Sequence, residues 1–215
     1  MALNNKREKP ARSFPRRQKQ KSKRQEEILA AAFKVFADHG FEATRIDEIA
    51  RRAGIAKGTI YLYFRDKEHL FRAMVRSLVQ RRFDAVAGNF EGTAEQLLRE
   101  LQSRMYSQVV KNEKVRSIVR LLIAEGGRFP QLVEIYHHEI IAPGIKALRQ
   151  ALQQGIASGE FRETAALEFP QLLVAPGVLA IVWRLLHGER HRLDLEAYQK
   201  AHAEFVLERL RKRPV

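Results

Sequence analysis

Nine residues between positions 44 and 67 form a set that, Leu62 aside, suits a polyanion. Lys57, Gly58, Thr59, Tyr61, Leu62 and Tyr63 follow one another closely, Thr44 and Arg45 precede them, and Lys67 comes after. The ammonium and guanidinium groups attract phosphate, and the hydroxyls donate to phosphate oxygens or base edges. Gly58 lets another molecule approach the backbone. Residues 57–63 hold no acid that would oppose such a partner. Catalytic chemistry has no comparable set. The chain contains no Walker-type phosphate loop, no Gly-x-Ser-x-Gly and no His-Glu-x-x-His, and it has no cysteine. His187 and His191 are four apart and could ligate a metal from one helical face, but Gly188 lies between them near an expected helix end. His137 and His138 are adjacent and would point in different directions. No enzyme activity, metal or cofactor is expected.

The elements that would position the donors are read from apolar spacing. Ile46, Ile49, Ala50 and Ala53 recur at three and four residues, one buried helical stripe. Thr44 is placed to cap that helix, with Asp47 answering three positions on as in a capping box. Gly54 suits a left-handed conformation at its end, and Ile55 follows as an apolar plug. A second helix is expected from about Lys57 to Phe64, with Ile60 and Phe64 facing inward. Two short helices joined by a glycine-containing turn form a helix-turn-helix unit, whose second helix lies in the major groove. The same pattern also fits an ordinary helical hairpin with exposed tyrosines. Ahead of it, Ile28, Leu29, Ala32, Phe33, Val35 and Phe36 predict a supporting helix over 25–39, ended by Gly40.

The charge is uneven. The 215 residues carry a net +14, with ten Lys/Arg against one Glu in residues 1–24 and eight of each sign in residues 25–73. The first segment reads as a basic, disordered arm that binds phosphates or enters a minor groove. With 45% hydrophobic residues, the remainder can bury a sizeable core. Its longest mostly apolar run, Leu172 to Trp183, is shorter than the roughly 18 residues that span a bilayer. Beyond residue 66 the spacing predicts helices throughout: a long one from Asp66 to about Phe90, one over 97–110, one ended by Gly126-Gly127, one over 132–156 interrupted at Pro143-Gly144, and two more near 165–187 and 193–211. There is no strand signal.

Residues 40–71, GFEATRIDEIARRAGIAKGTIYLYFRDKEHLF, resemble the DNA-binding signature of the tetracycline-repressor (TetR) family of bacterial transcriptional regulators. The matching elements are Gly40-Phe41, Ala43-Thr44, Ile49-Ala50, Ala53-Gly54, Lys57-Gly58-Thr59, Tyr61, Tyr63-Phe64 and Lys67. Ala56 departs from the family, which often has a serine cap there; losing such a cap costs about 1 kcal/mol at an isolated helix end. Residues 125–161 resemble a common C-terminal type of the same family.

The resemblance implies an all-α fold of about nine helices. A three-helix DNA-binding domain (25–73) would follow the arm (1–24) and precede a helical effector-binding and dimerisation domain (74–215). It implies a homodimeric, cytoplasmic regulator, a repressor released from a palindromic operator by a small, mostly apolar effector. It places Lys57 and Thr59 deepest in the groove, with Thr44, Tyr61, Tyr63 and Lys67 on phosphates. Candidate pocket residues are Met105, Tyr106, Val109, Leu122, Phe129, Tyr136, His137, Trp183 and His187. The last two helices would pair with their copies, with Ala175, Gly177, Ala180, Tyr198, Ala201 and Phe205 as candidate contacts. The competing reading is a non-specific nucleic-acid-binding protein driven by the arm.

Overall fold

Apolar residues at helical spacing decide which faces meet. A computed structural model of the chain describes residues 14–79, 83–188 and 190–212. Helix α1 (Phe14–Ala43) turns Ile28, Ala32, Val35 and Phe36 inward. They pack against α2 (Ile46–Arg52), which contributes Ile49, and α3 (Lys57–Tyr61), which contributes Ile60. Helix α4 (Lys67–Ser77) closes this head with Leu70, Phe71 and Met74. Phe71 meets the rings of Phe36 and Phe41 edge-on, with centroids 5.3 and 5.7 Å away, an arrangement that aromatic quadrupoles favour.

The body begins with α5 (Phe83–Gly88) and α6 (Ala94–Arg104), the latter opened by a reciprocal capping box of Thr93 and Gln96. Next come α7 (Glu113–Glu125), α8 (Pro130–Tyr136) and α9 (Ala142–Ala157). A 3-10 turn at Pro170–Leu173 leads into α10 (Ala175–His187), and α11 (Leu195–Leu210) is the last helix. Among the described residues the only strand-like pairing is a single bridge between Phe161 and Arg211.

Several boundaries differ from the sequence reading. Residues 14–24, expected in a disordered arm, are the first turns of α1, while residues 1–13 lie outside the described residues. Lys, Arg, Gln and Glu are good helix formers, nothing between Arg16 and His39 is Gly or Pro, and the buried half of α1 supplies the nucleus that an isolated basic segment lacks. Arg24 and Glu27 add an ion pair at 2.7 Å. The helix expected to run to Phe90 stops at Ser77, whose hydroxyl donates back to Met74 O while Leu78 O accepts from the Asn112 amide. The helices over 97–110 and 132–156 both contain a π turn, at Met105–Val110 and His137–Ile141. The second ends just before Pro143, so one wide turn takes up the interruption that a kink was expected to absorb.

Head and body meet at Gly40. Its φ of +77° breaks α1 and frees the next amides. Phe41 N–H and Glu42 N–H donate to the Glu125 carboxylate from the end of α7, at 3.0 and 3.1 Å. A Cβ on residue 40 would collide with that carboxylate. Arg128 grips Glu42 through two 2.7 Å contacts, and Phe129 packs on Phe41. One turn along α4, Arg72 and Arg76 reach the buried Glu139 of the second π turn at 3.5 and 2.8 Å. Burial alone would raise the Glu139 carboxyl, but the two guanidiniums hold it below the ordinary carboxylate value.

Candidate functional site

The α2–α3 turn is closed in the backbone. Gly54, at φ +66°, donates to Arg51 O, and Ile55 N–H reaches back to Ala50 O at 3.0 Å, the paired bonds of a Schellman ending. Ile55 is half-buried against the core, as a plug should be. Ile60 and Phe64 are fully inside, so α3 is pinned by its underside. Its outer side carries Lys57, Gly58, Tyr61 and Leu62 in solvent, with Thr59 and Tyr63 at its edges. Leu62, 79% exposed, is one of the least covered apolar side chains in the head.

The Lys57 ammonium pairs with Asp47 at 3.0 Å, and its pKa is raised by that hydrogen bond and charge. Arg45 is exposed at the start of α2. Nothing lies within 4 Å of where a Gly58 Cβ would sit, and its φ is not positive, so the fold itself makes no demand for glycine there. No side chain caps α3 at Ala56, in keeping with the departure seen in the sequence.

Two expected donors are used internally. Thr44 is 3% exposed, and its hydroxyl donates to Gly40 O at 2.5 Å. The N-cap of α2 is Arg45, without a side-chain bond, so the expected Thr44–Asp47 box is absent. The Lys67 ammonium donates to Phe41 O, Glu42 O and Thr44 O at 2.7, 3.2 and 3.2 Å and sits 4.4 Å from the centre of the Phe41 ring. Three carbonyls thus face its three donors; partial burial lowers its pKa. Both residues fasten the end of α1 instead of lining the outer surface.

The body holds a partly open cavity of about 110 Å³. Met105, Val109 and Tyr136 line it as expected, together with Phe83, Leu98, Gln102, Ile140, Ile141, Leu148 and Gly177. Each π turn supplies part of the wall. The other candidates lie elsewhere. Tyr106 is fully buried beside the cavity with its hydroxyl 3.0 Å from His202 Nδ1. Phe129 belongs to the head–body junction. Leu122 packs on the core, and His137 meets His138 edge-on. Trp183 is 38% exposed, packs at a tilt against His187 and donates its indole N–H to His191 O. Helical spacing identified apolar faces but could not say which face bounds a void.

The last two helices leave an apolar surface. On α10, Val178, Leu179, Trp183 and Leu186 are 38–75% exposed; on α11, Ala201 and Phe205 are exposed. Ala175 is exposed as well, and Tyr198 is half-buried with its hydroxyl on Pro176 O. Gly177 and Ala180 correct the reading: both are buried, Gly177 against the Met105 side chain. They lie on the inner face of α10, turned away from the exposed stripe.

Residues 28–74 match the model for bacterial regulatory proteins of the tetR family, and residues 87–201 match that for the tetracyclin repressor-like C-terminal domain. The chain is 29% identical over 150 residues to the fatty acid metabolism regulator protein of Bacillus subtilis, covering 67% of this chain and 74% of the relative. It is 28% identical over 150 residues to the HTH-type transcriptional repressor KstR2 of Mycolicibacterium smegmatis, covering 66% and 70%. Its fold is similar to FadR from Bacillus subtilis in complex with stearoyl-CoA, at TM-score 0.67 and 22% identity over 84% of this chain and 96% of that one. It is also similar to the fatty acid degradation regulator FadR from Bacillus halodurans, at TM-score 0.65 and 23% identity over 86% and 94%.

Proposed function

Because the chain belongs to the TetR family of bacterial regulatory proteins, we propose that it is a homodimeric repressor that leaves a palindromic operator when its body takes up a small apolar effector. One observation carries the DNA-binding part. Ile60 and Phe64 anchor α3 from below, so Lys57, Gly58, Tyr61 and Leu62 face outward together. Thr59 and Tyr63 flank them, and Arg45 stands at the neighbouring helix start. Gly58 supports this reading, since the protein leaves open space around it and only an outside partner would need the backbone bare. Thr44 and Lys67 hold the interface in shape without touching DNA through their side chains. The exposed basic turns of α1, with Lys19, Lys21, Lys23 and Arg24, add phosphate attraction beyond the groove.

Dimerisation rests on the exposed stripe of α10 and α11. A contiguous apolar surface of this kind calls for a partner, and two heads one DNA turn apart multiply the specificity of one. The relative solved with stearoyl-CoA and the apolar lining of the cavity together favour an apolar effector. Its grip on DNA would weaken only where the bound form favours a different head spacing. The Glu139 contact with Arg72 and Arg76 offers the route, because Glu139 belongs to a cavity-wall turn and the arginines to the helix that leaves the head.

Fluorescence anisotropy on DNA from upstream of its own gene, with unrelated duplex as competitor, tests the reading. Selective binding that survives conversion of Lys19, Lys21, Lys23 and Arg24 to Gln is expected. Loss of both binding and selectivity would favour the non-specific alternative. Sedimentation of the full chain should give a dimer, and Leu179→Asp with Leu186→Asp a monomer that binds the same DNA more weakly.

A further inference from the structure

The cavity wall is apolar with two exceptions, and both are neutral. Gln102, on α6, is only 7% exposed, and Tyr136 stands at the end of α8; each lines the cavity. Among the described residues neither the Gln102 amide nor the Tyr136 hydroxyl has a hydrogen-bond partner in the protein. An amide without a partner in an apolar wall is costly, so a buried group of this kind signals something outside the protein that satisfies it. Burial pushes the Tyr136 phenol up to about 12, which keeps it a donor at neutral pH. No charged side chain occurs among the described lining residues. An ionised carboxylate drawn inside would lose its water and find no cation.

We propose that this cavity is a binding site for a neutral, mostly apolar molecule bearing a carbonyl-type acceptor, read by the Gln102 amide with Tyr136 as a second donor. The inference deepens the effector reading above and rests on it. Free carboxylic acids are excluded in their ionised form; ketones, esters, thioesters and amides qualify. At about 110 Å³ the space is somewhat smaller than the roughly 150 Å³ that holds benzene, so a single ring or a short chain enters with a modest widening of the wall. A longer molecule must spread the two π turns of the wall.

Three probes of nearly equal size separate the terms: acetophenone, ethylbenzene and benzoate. Their affinities for the full-length protein without DNA are measured by calorimetry and thermal shift. Acetophenone should bind roughly tenfold more tightly than ethylbenzene, the worth of one net hydrogen bond, and benzoate more weakly than either. Gln102→Leu should bring acetophenone to the ethylbenzene level without weakening ethylbenzene; Tyr136→Phe should remove a smaller part of the preference. If Gln102→Leu does not fold, Gln102→Met and Tyr136→Phe carry the comparison. Benzoate binding as tightly as acetophenone, a carbonyl preference that survives both variants, or no binding by any probe would overturn the proposal. A pair of polar groups satisfied by water alone would leave acetophenone no tighter than ethylbenzene, which likewise overturns it. Operator binding of the unliganded native protein is measured beside it, so a failure here is distinct from a failure of the DNA-binding assignment.

Discussion

The outer face of α3 and the wall of the cavity are opposites in how they leave polar groups unsatisfied. On α3 the donors stand in water, and Lys57 already has an acid beside it, so exchanging water and Asp47 for phosphate requires little of the fold. In the cavity wall two neutral groups, Gln102 buried and Tyr136 half-buried, stand among apolar side chains. On the proposed reading the head is preformed and would be driven by charge, while the body would be completed by the molecule that enters it. The junction between them is dense: Glu125, Arg128 and Phe129 on one side, Gly40, Phe41 and Glu42 on the other.

The junction offers the strongest way to break this comparison. Gly40→Ala adds a methyl at φ +77° against the Glu125 carboxylate, and we expect a loss of about 3 kcal/mol in urea denaturation from backbone strain and the broken cap. An unchanged midpoint would mean that the head does not depend on the body for its geometry.

The α3 face should respond next, and without a stability cost. Lys57→Ala and Tyr61→Phe are each expected to weaken operator binding about tenfold while leaving the unfolding midpoint in place, with Lys57→Ala also lowering the salt slope by about 1. Unchanged affinity in both variants would take α3 out of the interface. Asp47→Asn should act in the other direction, strengthening binding several-fold by releasing Lys57 and removing a negative charge.

Gly58→Ala sharpens the contrast, because its two effects should have opposite signs. The fold has room for a methyl, so stability should rise by about 0.5 kcal/mol from helix propensity, while DNA affinity falls. A variant that gains stability and keeps its affinity would leave the glycine without a functional reason.

The smallest effect lies in the body. Burial lowers the pKa of His202 from its ordinary value of 6.5, so the unfolded chain takes up a proton before the folded one does. Stability is then complete above about pH 6.5 and declines as pH falls toward the lower folded pKa. Thermal unfolding from pH 7.5 to 5.5 should show this decline in the native chain and a shallower one in His202→Gln. Parallel curves would place the titration elsewhere.

The DNA-binding unit was legible because its signals are short-range. The stripe of Ile46, Ile49 and Ala50, the glycine at 54 and the inward pair Ile60 and Phe64 all sit within a few turns of one another, and local spacing settles them. The fates of Thr44 and Lys67 were not legible. Each ends on carbonyls at the C-terminal end of α1, one from four residues away and the other from up to 26. The cavity was harder still, since Gln102 on α6, Tyr136 on α8 and Gly177 on α10 meet only after the helices cross.

Sequence alone therefore determined most of the helices, though not all their bounds, together with the turn and the outward donors of α3, since periodicity and backbone preference act between near neighbours. Which apolar face became wall, which became open stripe, and which polar groups were left without partners was decided by packing. Those outcomes depend on groups as distant in the chain as Phe41 and Glu125, 84 residues apart, and no local pattern encodes such a meeting.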